Sequence, residues 1–373
     1  MPKKGENIYK RKDKRWEARY IKGYAPDGTI RYGYCYGKSY REAKEKMAQA
    51  QAAILSNKPT SETNCRKRFS YYCDEWLRLN RIRVKESTFV KYTNILENHI
   101  KPKLGGYYVH AITSVHVEEF SQSLLCEDKM SPKTVKDILT VLRSILKYSA
   151  RQTSWISPTV EIFYPKDIKK EIRVLTRDEQ FNFVHYLLHD MDECKFGTLL
   201  ALLTGLRIGE ICALRWTNIS LKDQVIKISA TMQRLKDLDV NRTSKTKIVI
   251  SAPKSDQSAR LIPLTDYAVE LCQRWKSVPP AAFVLTGKTD RFIEPRTLQY
   301  RLERYTSECG LEGVHFHTLR HSFATRCVEV GFEIKSLSEI LGHSSPKITL
   351  ERYVHSSIEL KRDNMNKLAE IGY

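Results

Sequence analysis

Long apolar runs are absent from this 373-residue chain. No stretch approaches the ~18 uninterrupted apolar residues that a membrane-crossing helix needs, and mean hydropathy is −0.46. A helical membrane protein is thereby excluded. The opening segment, MPKKGENIYKRKDKRWEARY, is basic but lacks the apolar core and cleavage site of a signal peptide, so no export leader is expected. Cysteine pairing is missing too: nine cysteines, an odd number, are scattered without a C-x-x-C pair, which excludes a disulfide framework and a Cys-rich zinc site. They read as reduced, packed thiols, with Cys212 and Cys272 in apolar helical settings. There is no internal repeat, no low-complexity segment, no Walker loop and no acidic metal cluster. Acidic residues are in deficit, 43 Asp and Glu against 63 Lys and Arg, which leaves a formal charge of +20 and a pI near 9.5. Such a molecule seeks polyanions, and without apolar runs the polyanion expected is nucleic acid in a cytosolic setting.

At this length two or three domains are expected, each with its own core. Residues 1–65 carry fifteen Lys and Arg against seven Asp and Glu. Within them RWEARYIKGY alternates, with Trp16, Ala18 and Tyr20 on one face, and TIRYGYCYG repeats the period with Ile30, Tyr32, Tyr34 and Tyr36. PDG supplies a turn between them. Ser39 and Glu42 then form a capping box for a helix carrying Tyr40, Ala43, Met47, Ala50 and Ile54. The expected unit is a small three-stranded sheet backed by one helix, with a basic, aromatic outer face, followed by the linker SNKPTSETN.

Four helices are expected between Phe69 and Gln152: one lined by Phe69, Cys73, Trp76 and Leu77; one by Phe89, Tyr92, Leu96 and His99; a break at KPKLGG; a third over Val115 to Leu125; and a fourth capped by Ser131 with Pro132 at its first position. SWISPTVEIFYPKDIKK reads as the link to the last domain. That domain begins at a Thr176–Glu179 capping box and runs helix, helix, then strands in QVIKISA, KIVISAP and ARLIPL. KSDQS is expected as the tip of a hairpin joining the last two strands, and helices follow from about Asp266. The fold class is a multidomain α+β, helices dominating.

Four stretches place polar groups in apolar settings. In LLALLTGLRIGEICALRW, Arg207 and Glu210 lie three apart, on one face of a helix; they form an intrahelical ion pair or hold an external anion. Lys254 sits beside the expected hairpin tip, where a lysine is ordinarily solvated. HFHTLRHSFATRC clusters His315, His317, Arg320 and His321. The spacing of His317 and His321 is that of a zinc helix, but no glutamate sits next to His317, no third ligand is evident, and the arginine argues for an anion. LGHSSPKITLERYVH ends one helix at Gly342, sets His343 just beyond, and begins another at Ser345–Pro346 that carries Tyr353. Together these arginines, histidines, lysine and tyrosine suit a phosphodiester. Guanidinium forks match the charge on its non-bridging oxygens, and their positive field is expected to favour phenolate at Tyr353.

The order TGLRIGEICALRW, a lysine hairpin, HTLRHSFAT, LGHSS, and a tyrosine ten residues after that histidine resembles the tyrosine recombinase family, specifically the integrases of temperate phages and conjugative transposons. The resemblance implies an arm-type DNA-binding domain over 1–58, a SAM-like core-binding helical domain over 64–155 and a catalytic domain over 172–373 with a tail at 354–373. It implies that Arg207, Lys254, His317, Arg320 and His343 surround the scissile phosphate, that Glu210 supports them, and that Tyr353 is the nucleophile of a 3′-phosphotyrosyl intermediate. Lys245 and Lys247 are alternatives to Lys254. His315 and His321 fall outside this set and read as packing or support. No cofactor or metal is implied. The partners implied are double-stranded DNA at core and arm sites, a homotetramer on that DNA, and an excisionase or host DNA-bending protein, in the cytoplasm of a bacterial host. Arg15, Arg19, Lys22 and Arg31 are the arm-domain contact candidates. A type IB topoisomerase and a non-catalytic DNA-binding regulator are the competing readings.

Overall fold

The structure is a computed structural model that describes residues 7–24, 30–56, 67–153, 160–167, 172–239, 244–253, 258–276, 279–353 and 365–366. The chain divides into two compact units, Met1–Asp167 and Ile168–Tyr373.

In the first unit, β1 (Ile8–Lys10), β2 (Trp16–Tyr24) and β3 (Ile30–Gly37) form an antiparallel sheet in the order β1-β2-β3. Strand alternation sends Ile8 and Ala18 inward against Ala43 of α1 (Tyr40–Ser56), with Trp16, Tyr40 and Met47 around them. The register sets Glu17 opposite Tyr36, Arg19 opposite Tyr34 and Ile21 opposite Tyr32, so the expected aromatic outer face is present and exposed. The capping box is modified: Ser39 accepts the Glu42 N–H, while the Glu42 carboxylate reaches the N–H of Lys38. The expected linker SNKPTSETN begins at Ser56, the last residue of α1, and the rest of it lies outside the described residues.

The helical bundle follows. It comprises α2 (Phe69–Asn80), α3 (Glu86–Ile95), α4 (Ser114–Cys126) and α5 (Pro132–Thr153). Phe69, Cys73 and Trp76 are buried as expected, and Ser131 caps α5 by accepting the Thr134 N–H. The second helix departs from expectation. It continues through a π turn at Leu96–Ile100 and a last turn at Lys101–Leu104, so KPKL extends it and the break comes only at Gly105. A π turn inserts one residue. The buried stripe is Val90, Ile95, Leu96, Ile100 and Leu104, and Phe89 and His99 are only half-buried. Part of the expected interdomain link instead packs on the bundle through Val160, Ile162 and Tyr164, anchored by Ser114, which accepts the Glu161 N–H.

The second unit contains α6 (Arg177–Leu188), α7 (Glu193–Thr204), α8 (Ile208–Ala213), α9 (Asp266–Trp275), α10 (Pro295–Glu308), α11 (Phe316–Glu329), α12 (Ile334–Leu341) and α13 (Pro346–Tyr353). The Thr176–Glu179 capping box is formed. α7 is buried on nearly every side, with Phe196, Leu199 and Leu200 fully buried and Lys195 donating to the His189 carbonyl. Two small sheets contribute Ile226, Ile228, Met232 and Ile262 to the same core: β4 (Ile219–Ser220), β5 (Val225–Ile228) and β8 (Arg260–Pro263) in the order β4-β5-β8, and a ribbon of β6 (Thr231–Lys236) with β7 (Thr246–Ser251). The expected pairing of KIVISAP with ARLIPL is therefore corrected. β7 pairs with β6, a strand that weak alternation in TMQRLK concealed, and β8 pairs with β5, so that Ile226 and Ile262 face each other in the core.

Candidate active site

Two helix ends organise the polar groups. α7 stops at Gly205 and α12 at Gly342, both left-handed with φ of 67° and 63°, a conformation that glycine adopts without a Cβ penalty. Each leaves carbonyls free at the negative end of its helix dipole, and arginines occupy them. Arg320 on α11 donates to the Gly205 carbonyl at 2.8 Å and to that of Leu341. Arg260 on β8 donates to the Ile340 carbonyl, and Arg207 to that of Gly342 at 3.1 Å. Three successive carbonyls thus hold three guanidiniums side by side, and His343 follows immediately.

Glu210 is the anion between them. It is 4 % exposed and accepts two bonds from Arg260, both at 2.9 Å, one from Arg207 Nη1 at 2.8 Å and one from the Arg207 backbone N–H at 3.0 Å. The ion pair with Arg207 forms, but Arg207 stands just ahead of α8 in extended conformation rather than within a helix. The more deeply buried partner is Arg260, which sequence reading passed over. A signal existed: alternation along β8 puts Arg260 in phase with buried Ile262, where an apolar residue belongs.

Burial disfavours the Glu210 carboxylate, yet the Arg260 hydrogen bonds and the charges of Arg260 and Arg207 outweigh it and hold its pKa down to about 2. Burial first, then Arg207 and Arg260, lowers Arg320 to about 9. Burial and the surrounding arginines likewise depress the histidines, His343 to about 3, His321 to about 4 and His317 in the same direction, so all three are neutral at pH 7. The site is a cleft of about 650 Å³, rich in cationic side chains and lined among others by Arg207, Glu210, His317, Arg320, His343 and Arg352.

These shifts predict acid sensitivity. A depressed histidine stabilises the fold above its unfolded pKa near 6.5, and that contribution is lost as pH falls toward 4 and 3. Glu210 adds a second loss from about 4.5 to 2, on the order of 3 kcal/mol. Thermal midpoints measured at pH 7, 5 and 3 should fall in both intervals. A His321→Gln, His343→Gln double variant should flatten the first interval and shrink the second to the part that Glu210 contributes.

Tyr353 closes α13 at 5 % exposure, packed with Ala324, Cys327, Leu337 and Leu341. Its ring stacks on His343, with centroids 6.3 Å apart and planes at 8°, and His343 is oriented by a 2.8 Å bond to buried Thr349. The expected phenolate is corrected. Burial raises the Tyr353 pKa, outweighing Arg320, Arg352 and Arg207, so the resting side chain is a neutral phenol. Its oxygen lies 2.8 Å from Nδ1 of His321, the histidine that sequence reading set aside. His315 takes the position ahead of α11. Lys254 lies outside the described residues, and Lys245 and Lys247 fall at the start of the β7 region.

Among solved structures, the chain has the fold of DNA integrases. The Tn1549 transposon integrase, in complex with a circular intermediate DNA, superposes with a TM-score of 0.68 at 19 % identity, covering 81 % of this chain and 99 % of that one. A lambda integrase dimer bound to a COC′ core site gives 0.58 at 18 %, covering 96 % and 99 %. A tyrosine recombinase XerC-like protein of Caldanaerobacter subterraneus subsp. tengcongensis is 25 % identical over 361 residues, 90 % of this chain and 91 % of its own. The integrase of Staphylococcus phage L54a is 24 % identical over 354 residues, 86 % and 97 % respectively. Residues 68–125 match the phage integrase N-terminal SAM-like domain and residues 173–359 the phage integrase family, and the chain belongs to that family. It is a tyrosine recombinase, a DNA strand-transferase of site-specific recombination, and the topoisomerase and regulator readings are not favoured.

Proposed function

We propose that Tyr353 is the nucleophile and that Arg207, Arg320, His317 and His343 clamp the scissile phosphate. The observation that supports this is their convergence on one cleft beside the tyrosine. The oxygen of Tyr353 attacks phosphorus and the DNA 5′-oxygen leaves with a proton, for which Lys254 is the candidate donor. A 3′-phosphotyrosyl bond conserves the energy of the broken one, and a 5′-hydroxyl from the partner duplex then attacks to reverse the step. Glu210 and Arg260 fix Arg207 from behind.

We also propose arm binding by 1–58, core binding by 64–155 and catalysis by 172–373, in a homotetramer on DNA with an accessory excisionase or DNA-bending protein, within the bacterial cytoplasm. Arg19 lies 4.5 Å from the Tyr32 ring on the exposed sheet face and its buried Nε has no acceptor among the described residues; Arg15 stands 5.7 Å from Tyr36. Both suit a phosphate backbone. The side chains of Lys22 and Arg31 lie outside the described residues.

A nicked suicide duplex carrying the element's core site tests the assignment. The unaltered protein should form a covalent adduct and Tyr353→Phe none, with DNA affinity retained. Brisk relaxation of plasmids without sites, or no adduct from the unaltered protein, would sink it. Arg19→Ala should weaken arm-DNA binding several-fold at low salt and reduce the salt slope by about 1, read by fluorescence anisotropy.

A further inference from the structure

We propose that His321 is the residue that takes the proton from Tyr353 when the tyrosine attacks, and returns it when the tyrosine leaves. The inference rests on Tyr353 being the nucleophile. Its geometric basis is the 2.8 Å contact between Nδ1 and the phenol oxygen. The contact joins α11 to α13. His317, one turn earlier on α11, has its ring centroid 6.1 Å from that of His321, and His343 stacks on the tyrosine ring with its own Nδ1 engaged by Thr349. Among the described residues, His321 is the imidazole bonded to the reacting oxygen.

The charged surroundings hold both partners in their neutral forms. His317 and Arg320 face His321 from its own helix, and Arg352 and Tyr353 face it from α13. With burial they keep it neutral, as an acceptor for a neutral phenol donor. A phosphate in the cleft adds negative charge beside Arg207, Arg320 and Arg352 and offsets their field, so the imidazole gains basicity only when substrate is present. The step balances: the Oη–P bond forms, the Oη–H proton passes to Nδ1 to give imidazolium, and the 5′-oxygen departs with a proton from the general acid. In the second transfer Oη is the leaving group and recovers the proton from His321.

His321→Gln keeps an acceptor of similar reach but no base. On the suicide duplex that traps the unaltered protein, it should bind DNA with unchanged affinity and form adduct about 100-fold more slowly at pH 7. Its rate should climb tenfold per pH unit from 6 to 9, whereas the unaltered protein levels off. A 5′-bridging phosphorothiolate, whose sulfur leaves unprotonated, should not restore it. In a second measurement on the unaltered protein, inorganic phosphate should raise the His321 midpoint followed by histidine ¹⁵N resonances. A rate within threefold of the unaltered protein, recovery with the phosphorothiolate, a flat pH profile or an unmoved resonance would each overturn the assignment. Adduct formation by Tyr353→Phe would instead overturn the nucleophile assignment beneath it.

Discussion

Arg320→Lys is expected to lower the rate of covalent adduct formation by about 10³-fold while leaving the fold intact. A guanidinium carries five N–H groups in a rigid fork. Two of these in Arg320 are engaged by the carbonyls of Gly205 and Leu341, which orient the plane and leave the others for an anion in the cleft. Lysine offers one mobile point of charge and cannot span both helix ends and a phosphate at once. Burial and the like charges of Arg207 and Arg260 disfavour this cation, so a bound phosphate relieves their mutual repulsion. Sulfate or phosphate should therefore raise the melting temperature of the unaltered protein, and that increment should be missing in Arg320→Lys. Single-turnover cleavage of the suicide duplex and calorimetry with added sulfate check the two halves. Unchanged cleavage in the lysine variant would remove Arg320 from the chemistry.

Glu210→Leu is expected to cost about 3–5 kcal/mol, because it strands Arg260, only 5 % exposed at its side chain, without its carboxylate. For a unit of about 200 residues that corresponds to a melting temperature roughly 10 °C lower. The companion Glu210→Leu, Arg260→Met variant removes both charges and should recover most of the lost stability. It should not recover recombination. Arg207 would still be without the acceptor of its Nη1 and backbone N–H bonds, and its guanidinium would no longer be held square to the cleft. Separate stability and cleavage measurements on the single and double variants give the result; equal recovery of both would contradict a positioning role for the pair.

Where local chemistry was strong, the elements were legible. Ser131–Pro132, Thr176–Glu179 and Ser345–Pro346 each began the helix they announced. Tyr32, Tyr34 and Tyr36 alternated outward as their period required. Elements decided by distant partners were less legible. The π turn at Leu96–Ile100 follows from packing of Leu96, Ile100 and Leu104 into the bundle, which no local signal encodes. KIVIS and RLIP both look like strands, but composition does not say which strand each will pair with, and the sheet joined RLIP to VIKI instead.

The candidate site divides along the same line. Residue types and spacing alone determined that arginines, histidines and a late tyrosine exist in an order suited to a phosphodiester, and that the chain is basic enough to hold one. These are properties of side-chain chemistry, and they survive any arrangement of the backbone. Tertiary structure alone decided three further matters. It set three guanidiniums on consecutive carbonyls at the end of α12, it brought Arg260 to Glu210 across fifty residues, and it buried Tyr353 as a neutral phenol against His321. Desolvation is the physical reason. Whether a group is charged, and which neighbour holds it, depends on what has displaced water around it, and those neighbours are remote in sequence.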